Sequence, residues 1–374
     1  MKIEEFAVET WMTDHEGDCK YNLTETCVSS LSLNELQKYV QEDISSTIMN
    51  MTQDYGPIVG SKRLKKAILS LYTTGSLDNI TITHGAINAN ELVMMSLLEP
   101  GDHVISLYPT YQQLYDFPRS LGCDVSLVPL LEENNWLPSM DDFEKVIHHK
   151  TKMICLNSPN NPTGTTFSLE MIQDIVELAK KYDCYIMCDE IYRGYHDDSQ
   201  MLSPSFSDYY DKAIVTSSLS KVFSFAGLRL GWVKGPKDVI DLINYRRDYH
   251  IISSGPLDDY LGCLVLENKE AILQRSYEIC KANKEYLHKW LQDEPHITCI
   301  IPQDGPVCFL KYDLDIPSKE LCERLQKETG VFFVPGSCFG IEYHLRFGFT
   351  HELEEVQEGL KVFSMWLKQF DERK

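Results

Sequence analysis

Short apolar runs alternate with amphipathic stretches between residues 61 and 235, and this alternation constrains the fold more than any other feature of the sequence. Seven of these runs have the character of β-strands: 80–83, 103–108, 124–130, 152–157, 185–190, 213–218 and 230–235. They are continuously apolar, which is typical of strands covered on both faces by helices. Strands separated by helices predict an α/β domain with a mostly parallel sheet.

The two ends of the chain have a different pattern of predicted helices and strands. Helical patterns cover 238–250 and 257–291, and short strands mix with helices from residue 297 onward. We therefore expect a smaller α+β domain beside the large one. Residues 1–30 are expected to be irregular, and 30–44 to form one helix. The predicted units are an N-terminal arm and helix that packs with the small domain (1–48), a large domain that contains the alternating region (49–255) and a small C-terminal domain (256–374).

Charge and cysteine content argue against several classes of function. The net charge is −21, so nucleic acids and anionic membranes are poor partners because their phosphates would be repelled. The 12 cysteines form no CxxC pair and no cysteine–histidine cluster with zinc spacing, so no metal is expected. The N-terminus lacks a signal-peptide pattern, and no apolar run has the length of a membrane span. These features predict a cytoplasmic protein with reduced cysteines.

Ligands in such sheets bind beyond the carboxyl ends of the strands, so the residues that follow each strand matter most. Gly85, Ala86 and Ile87 follow the first strand and open a helix, where backbone N–H groups can bind an anion. A tight strand-to-helix turn explains these residues equally well. Tyr111 follows the second strand, where it either stacks on a flat ring or is simply half-buried. The motifs GxGxxG and GxxxxGKS/T are absent, so no dinucleotide or nucleoside triphosphate is indicated.

The next two strands are followed by amides and carboxylates. Asn161 lies in the turn 158–164, which is explained either by turn chemistry alone or by a ligand-binding loop. Asp189 and Glu190 end the strand 185–190. A carboxylate is costly to bury without a partner, and a protonated ring nitrogen is one such partner. The alternative is a helix N-cap, for which aspartate is favoured.

The stretch SSLSKVFSFAGLRLGW (217–232) contains Lys221 and Arg229 but no acidic residue, in a chain with 56 of them. A lysine in apolar surroundings loses its proton more easily, and the neutral amine can attack a carbonyl to form a Schiff base. Ser218 and Arg229 are suited to hold an anion. Ser218 and Lys221 also fit the S-x-x-K motif of penicillin-binding hydrolases, but the accompanying S-D-N and K-T-G motifs are absent.

Together, these motifs and their order resemble the fold type I pyridoxal-phosphate enzymes, specifically the class I/II aminotransferase family. The resemblance runs from Tyr55 to Arg346, and 217–232 fits the family's lysine-attachment pattern throughout. It implies a large domain with a mostly parallel, seven-stranded sheet between helices, plus a smaller α+β domain. It also implies pyridoxal 5'-phosphate as the cofactor and a homodimer with shared active sites.

The resemblance implies a role for each candidate residue. Lys221 would bind the cofactor as a Schiff base and later transfer a proton, and Asp189 would pair with the pyridinium nitrogen. Arg346 would bind the substrate α-carboxylate, with Asn161 beside it. Tyr192 and Asn161 would contact the phenolic oxygen of the cofactor, and Tyr111 would lie on the ring face. The phosphate would be bound by Gly85, Ala86, Ile87, Ser218 and Arg229 of the same chain. Tyr55 would reach the phosphate from the neighbouring subunit.

The implied reaction moves an amino group from an L-amino acid to a 2-oxo acid through a pyridoxamine phosphate intermediate. A C–S or β-lyase, or a β-eliminating cyclase, of the same fold would use the same cofactor residues. A ligand-sensing regulator is disfavoured, because the chain is acidic and has no room for a DNA-binding module before the cofactor domain. A cofactor-free relative is disfavoured because every cofactor-contacting position holds a competent residue.

The segment 21–30 departs from the family, since it lacks the glycine and proline of the usual LxxGxP pattern. The wall of the substrate pocket is therefore unusual, and the amino donor and acceptor do not follow from the resemblance. Arg193, Arg246 and Arg247 are available to meet an acidic substrate side chain. The alternative is that these arginines are solvated at the surface.

Overall fold

The computed structural model describes residues 2–195 and 202–371. The strands of the described residues are β1 (Tyr21–Asn22), β2 (Ile80–His84), β3 (His103–Tyr108), β4 (Asp124–Pro129), β5 (Thr151–Asn157), β6 (Tyr185–Asp189), β7 (Ala213–Ser218), β8 (Leu230–Lys234), β9 (Ile297–Cys299), β10 (Val307–Tyr312), β11 (Val331–Phe332), β12 (Val334–Pro335) and β13 (His344–Gly348). The α-helices are α1 (Ala7–His15), α2 (Leu33–Leu36), α3 (Ile44–Met49), α4 (Lys62–Leu69), α5 (Gly85–Leu97), α6 (Gln113–Ser120), α7 (Met140–Val146), α8 (Leu169–Tyr182), α9 (Lys237–Arg246), α10 (Gly255–Glu267), α11 (Lys269–Trp290), α12 (Ser318–Thr329) and α13 (Leu353–Asp371).

The seven predicted strands, β2 to β8, form one sheet in the order β2-β8-β7-β6-β5-β3-β4. Neighbouring strands are parallel except at β8, which runs antiparallel to both β2 and β7. This confirms the predicted α/β class with a mostly parallel sheet. Because β8 runs the opposite way, it begins at the edge where the other strands end. Leu230 pairs there with His84, and Gly231 pairs with Ser218.

Both faces of this sheet are buried except at the edge strand β4, which explains why its inner strands are largely apolar. In β5, Met153 and Cys155 belong to an apolar cluster that includes residues of α5, α6 and α9. Ile154 and Leu156 belong to a second cluster that includes residues of α4, α8 and α10. Since successive side chains of a strand point to opposite faces, helices cover the sheet on both sides, as the continuous apolar runs predict.

A smaller sheet lies in the C-terminal part of the chain. It is antiparallel, in the order β12-β13-β10-β9, and α12 packs against β12 and α13. The N-terminal strand β1 pairs in parallel with β11, where Tyr21 lies opposite Val331. The smaller α+β unit is therefore present as predicted, while the boundaries at residues 48 and 255 stay predictions.

The prediction of an irregular segment over 1–30 is wrong, because α1 lies within it. Trp11 of this helix is buried and donates from Nε1 to the carbonyl of Phe333 at 2.9 Å. The backbone N–H of Ala7 donates to Oε1 of Gln112, also at 2.9 Å. These partners lie 322 and 105 residues away in the sequence, so the helix is stabilised by contacts that a local pattern does not contain.

The single helix expected over 30–44 is also wrong, because α2 and α3 are separate helices. The side chain of Gln37 holds the connection between them. Its Nε2 donates to the carbonyls of Val40 and Glu42 at 3.1 and 3.0 Å, and its Oε1 accepts from the N–H of Ile44 at 3.0 Å. These side-chain bonds satisfy backbone groups that a continuous helix would have paired internally.

The helical stretch expected over 257–291 consists of two helices, α10 and α11, which meet at Asn268. The side-chain amide of Asn268 donates to the backbone carbonyl of Leu264 at 2.8 Å, which lies in the last turn of α10. Asparagine competes for backbone groups in this way and favours helix ends. Across the described parts of the chain, no helix is both long and apolar enough to cross a bilayer.

Candidate active site

A cavity of about 450 Å³ lies at the edge of the large sheet where its parallel strands end, a size suited to a small-molecule ligand. The N-terminal segment and β13 complete its walls. The cavity is lined by most of the residues that the sequence singles out: Ala86, Ile87, Tyr111, Asn161, Asp189, Tyr192, Lys221, Arg229 and Arg346. The fold thus gathers at one place residues that are scattered over most of the sequence.

One part of the cavity is built to bind an anion. Gly85 has a φ of 76° and begins α5, whose first turn carries Ala86 and Ile87 and has no side-chain cap. A Cβ on Gly85 would lie 2.8 Å from Nη2 of Arg229. A Cβ on Gly231 would lie 2.4 Å from the carbonyl carbon of Gly85. Glycine at both positions therefore lets a guanidinium approach the start of a helix, an arrangement that favours a phosphate.

Lys221 follows β7 and extends into the cavity. Its Nζ donates to Oγ1 of Thr26 at 2.6 Å and contacts Sγ of Cys27 at 3.2 Å. Burial alone would lower the pKa of Lys221, but Cys27 and Tyr192 outweigh this effect and raise it. Glu25 adds to the increase. The expectation of a lowered pKa is therefore wrong for the free amine of Lys221, because the acidic neighbours come from a distant part of the chain.

Asp189 ends β6 and is buried. Its Oδ2 accepts from Nδ2 of Asn90 at 2.8 Å, and its Oδ1 accepts from the N–H of Ile191 at 3.1 Å. Burial raises the pKa of Asp189 to about 6, and no basic side chain of the described residues forms an ion pair with it. No helix begins within 190–195, so the N-cap alternative does not apply. A protonated nitrogen in the cavity would supply the missing partner.

Aromatic and amide side chains surround the end of β6. Tyr192 is buried, and this burial raises its pKa. Asn161 is positioned by Asn157, whose Oδ1 accepts from the backbone N–H of Asn161 at 2.8 Å. Tyr111 donates its hydroxyl to Oε1 of Glu9 at 2.9 Å, which ties it to α1. The two tyrosines and the two asparagines therefore have fixed positions on the cavity wall.

Arg346 lies on β13 and is only 4% exposed. Its Nε donates to Oγ1 of Thr24 at 3.1 Å, and its Nη2 donates to the carbonyl of Thr24 at 3.1 Å. Its Nη1 donates to Oδ1 of Asn161 at 3.4 Å. The guanidinium is thus held from behind by neutral acceptors and presents its charge to the cavity. Arg346 and Arg229 are thus two separate cationic centres of the cavity wall, in addition to Lys221.

Three of the predicted site residues do not line the cavity. Gly85 lies beneath Arg229. Ser218 is fully buried, and its Oγ accepts from the backbone N–H of Ser220 at 3.1 Å. Ser220, which the sequence analysis did not single out, lines the cavity and accepts from Nη1 of Arg229 at 3.4 Å. Tyr55 is 66% exposed at the surface of the chain.

The arginines considered for an acidic substrate side chain lie away from the cavity. Arg193 and Arg246 donate to backbone carbonyls, and Arg247 is buried against other parts of the large domain. None of the three is simply solvated, and none lines the cavity. Glu190 also points elsewhere, since its Oε1 accepts from Oγ of Ser205 at 2.9 Å.

The contribution of the N-terminal segment to the cavity was not predicted from the sequence. Glu9 of α1, Glu16 just after it, and Glu25 in the atypical segment 21–30 all line the cavity. Oε1 of Glu25 accepts from the two following backbone N–H groups at 2.6 and 2.7 Å. A signal for α1 was present in the helical spacing of three apolar residues: Val8, Trp11 and Met12.

Comparison with known proteins gives consistent results. A family model described as aminotransferase class I and II matches residues 21–363. The crystal structure of a PLP-dependent aminotransferase from Streptococcus suis is 40% identical, with a TM-score of 0.95 and 99% of each chain covered. Capreomycidine synthase from Streptomyces vinaceus is 26% identical over 361 residues, which are 96% of this chain and 92% of that protein. An aspartate aminotransferase from Pyrococcus horikoshii is 28% identical over 316 residues, which are 82% of this chain and 81% of that protein.

Proposed function

The chain belongs to the class I and II aminotransferase family, whose cofactor is pyridoxal phosphate, and we propose that it transfers an amino group from an L-amino acid to a 2-oxo acid. The observation that carries this proposal is the convergence of Lys221, Asp189 and Arg346 on one cavity. They supply an amine, a buried carboxylate without a cationic partner, and a buried guanidinium. Aminotransfer requires each of these groups.

The residues present fit this cofactor. Arg229 and the uncapped first turn of α5 are suited to its phosphate, and the close approach at Gly85 and Gly231 explains why both are glycine. Asp189 lacks a basic partner among the described residues and is suited to the ring nitrogen. Tyr111 is suited to the ring face. The phenolic oxygen of the cofactor would be met by two further residues, Tyr192 and Asn161.

When bound, the cofactor supplies an aldehyde carbon and a ring that accepts electrons. Lys221 would hold this aldehyde through its amine, and its Nζ would take the proton from the substrate Cα. Asp189 would pair with the ring nitrogen and so favour its protonated form. Arg346 binds the α-carboxylate with two parallel hydrogen bonds and so orients Cα toward Lys221.

We also propose a homodimer in which Tyr55 reaches the phosphate of the neighbouring subunit. In support, Tyr55 is exposed, and two large apolar side chains close to it in sequence, Met49 and Ile58, are 82% and 41% exposed. Exposed apolar side chains that cluster in one segment are typical of an interface. A cytoplasmic location remains part of the same proposal.

The proposal is tested with the cofactor-loaded protein and single L-amino acids, without any 2-oxo acid. Loss of the visible absorption band together with one equivalent of 2-oxo acid per site would support aminotransfer and identify the donor. A persistent band with many turnovers of ammonia and pyruvate would contradict it and indicate a β-lyase. Absence of any band after addition of the cofactor would contradict the role of Lys221.

A second candidate is a β-eliminating cyclase or lyase of the same fold. The similarity to capreomycidine synthase over 96% of the chain favours it, because that protein is named a synthase rather than a transferase. The atypical segment 21–30 also favours it, since Thr26 and Cys27 contact the lysine that moves the proton. A lyase would release ammonia and a cyclase would release a cyclic amino acid with loss of the β-substituent; either product without formation of the aminated cofactor would distinguish this candidate from aminotransfer.

A further inference from the structure

We propose that the amino acid accepted by this cavity has a cationic side chain, either a guanidinium or an ammonium group. This inference rests on the proposed function, because it names the substrate class of the same site. The observations that lead to it are the three glutamates on the cavity wall, the absence of ion pairs to them among the described residues, and their position relative to Arg346 and Lys221.

The three carboxylates come from one continuous part of the chain. Glu9 accepts from the hydroxyl of Tyr111 at 2.9 Å, and Glu16 accepts from Nδ2 of Asn22 at 3.0 Å. Glu25 accepts from two backbone N–H groups. All of these donors are neutral, so each carboxylate is oriented by hydrogen bonds that bring no positive charge to it. The N-terminal wall of the cavity therefore carries a concentrated negative charge.

No basic side chain in residues 2–195 or 202–371 forms an ion pair with any of these glutamates. Burial, followed by the charge of Glu25, raises the pKa of Glu16, while Lys221, Arg346 and His351 each lower it by less. The two glutamates therefore feel each other's charge. Like charges on a cavity wall destabilise each other, and a bound cation would remove this repulsion.

The position of Glu25 places this charge at the substrate end of the cavity. Glu25 lies between Thr24, which contacts Arg346, and Thr26, which contacts Lys221. Burial alone would raise the pKa of Glu25, but the charge of Lys221 and the backbone N–H groups of Cys27 and Thr26 outweigh this effect and lower it. A substrate with its carboxylate on Arg346 and its Cα near Lys221 therefore has its side chain beside this wall.

An acidic side chain would find no counterpart here. The cations that line the cavity are Lys221, Arg229 and Arg346, and the proposed function uses each of them for the cofactor or the α-carboxylate. The remaining candidates, Arg193 and Arg246, bond to backbone carbonyls elsewhere. A carboxylate side chain would meet only like charge, whereas a cation would gain charge-assisted hydrogen bonds.

The test uses titration calorimetry on the cofactor-loaded protein with ligands that cannot react. The ligand 5-guanidinopentanoate keeps the carboxylate and the guanidinium but lacks the α-amino group, and 5-ureidopentanoate is its neutral counterpart. We expect the guanidino ligand to bind at least about tenfold more tightly. A third ligand, 6-(trimethylammonio)hexanoate, shows whether an ammonium charge is accepted as well, because its quaternary nitrogen cannot form a Schiff base.

Two variants locate the effect. Glu16→Gln and Glu25→Gln should each reduce the preference for the guanidino ligand by at least about threefold, because each removes one charge. Glu320→Gln is the matched control, since Glu320 is an exposed residue on α12 that does not line the cavity. If Glu25→Gln disturbs the segment that its carboxylate holds, Glu16→Gln still decides the question.

Equal binding of the two ligands, or tighter binding of the dicarboxylate glutarate, would overturn the inference. Because these ligands lack an amino group, this result does not depend on aminotransfer. A parallel reaction of L-arginine and L-citrulline separates the two proposals. If neither amino acid reacts but the guanidino ligand binds more tightly, only the proposed function is contradicted. If L-citrulline reacts as well as L-arginine, only this inference is contradicted.

Discussion

Arg346 offers the sharpest test of how the cavity recognises its substrate. A guanidinium has five N–H donors, and three of them are used within the protein, on Oγ1 and the carbonyl of Thr24 and on Oδ1 of Asn161. Two donors remain, one on each terminal nitrogen, and the one on Nη2 meets only the weak acceptor Sδ of Met12 at 3.9 Å. This pair of donors matches the two oxygens of a carboxylate.

The magnitude follows from this count. Each charge-assisted hydrogen bond contributes about 1.5–3 kcal/mol. Arg346→Leu removes both bonds and should lower kcat/KM for an L-amino acid by about 10²–10⁴-fold. Arg346→Lys keeps the charge but cannot form the paired bonds, so its loss should be about 10–150-fold.

The assay follows the reaction of the cofactor-loaded protein by stopped flow. It compares two compounds, the reacting L-amino acid and the corresponding amine that lacks the α-carboxylate. The variants should slow the amino acid but leave the amine nearly unaffected, because the amine makes no contact with residue 346. Equal slowing of both compounds would mean that the substitutions disturb the cavity as a whole. Such a result would refute the assignment of Arg346 to the carboxylate.

Three further predictions concern the large domain and the dimer. Burial raises the pKa of Glu190 to about 7, and Oε2 of this side chain has no hydrogen-bond partner among the described residues. Between pH 4.5, the ordinary pKa of glutamate, and pH 7, the folded chain therefore keeps a proton on Glu190 that the unfolded chain has lost. The free energy of unfolding should therefore fall as pH rises from 4.5 to 7. In urea denaturation, Glu190→Gln should raise the free energy of unfolding by up to about 3 kcal/mol at pH 8 but not at pH 4.5. Gly231→Ala should displace Gly85 and weaken cofactor binding by about 5–100-fold in a fluorescence titration, whereas Gly227→Ala should not, because nothing lies within 4 Å of its Cβ. The chain should sediment as a dimer, and Tyr55→Phe should weaken retention of the cofactor by about tenfold without changing the dimer.

Each of these predictions has a result that would contradict it. A stability difference for Glu190→Gln that does not change with pH would mean that the carboxyl is not the titrating group. Equal cofactor affinity in the Gly231 and Gly227 variants would contradict the steric argument at the start of α5. A monomer at micromolar concentration would rule out the role of Tyr55 in a neighbouring site.

The large sheet was predictable because its signal is local. Each of its strands is a continuous apolar run, and the chemistry-bearing residues follow those runs directly. Asp189 and Lys221 could therefore be placed near one edge of the sheet before any coordinates were considered. The antiparallel direction of β8 was not predicted, although it is what brings Arg229 to the same edge.

The N-terminal wall was not predictable in the same way. The helix α1 depends on partners such as Phe333 and Gln112, which are far away in the sequence. The raised pKa of Lys221 has the same origin, since Glu25 and Cys27 are almost 200 residues away from it and meet it only in the folded chain. Contacts between distant segments decided both features, and a local pattern carries no information about them.

The central claim is that Lys221 is the residue that holds pyridoxal phosphate. The most direct measurement is reduction of the cofactor-loaded protein with borohydride, followed by proteolysis and mass spectrometry of the labelled peptides. We predict a single phosphopyridoxyl group on the peptide that contains Lys221, and no label at that position in Lys221→Ala. Label on a different lysine, or none on the Lys221 peptide under conditions that saturate the visible band, would contradict the account.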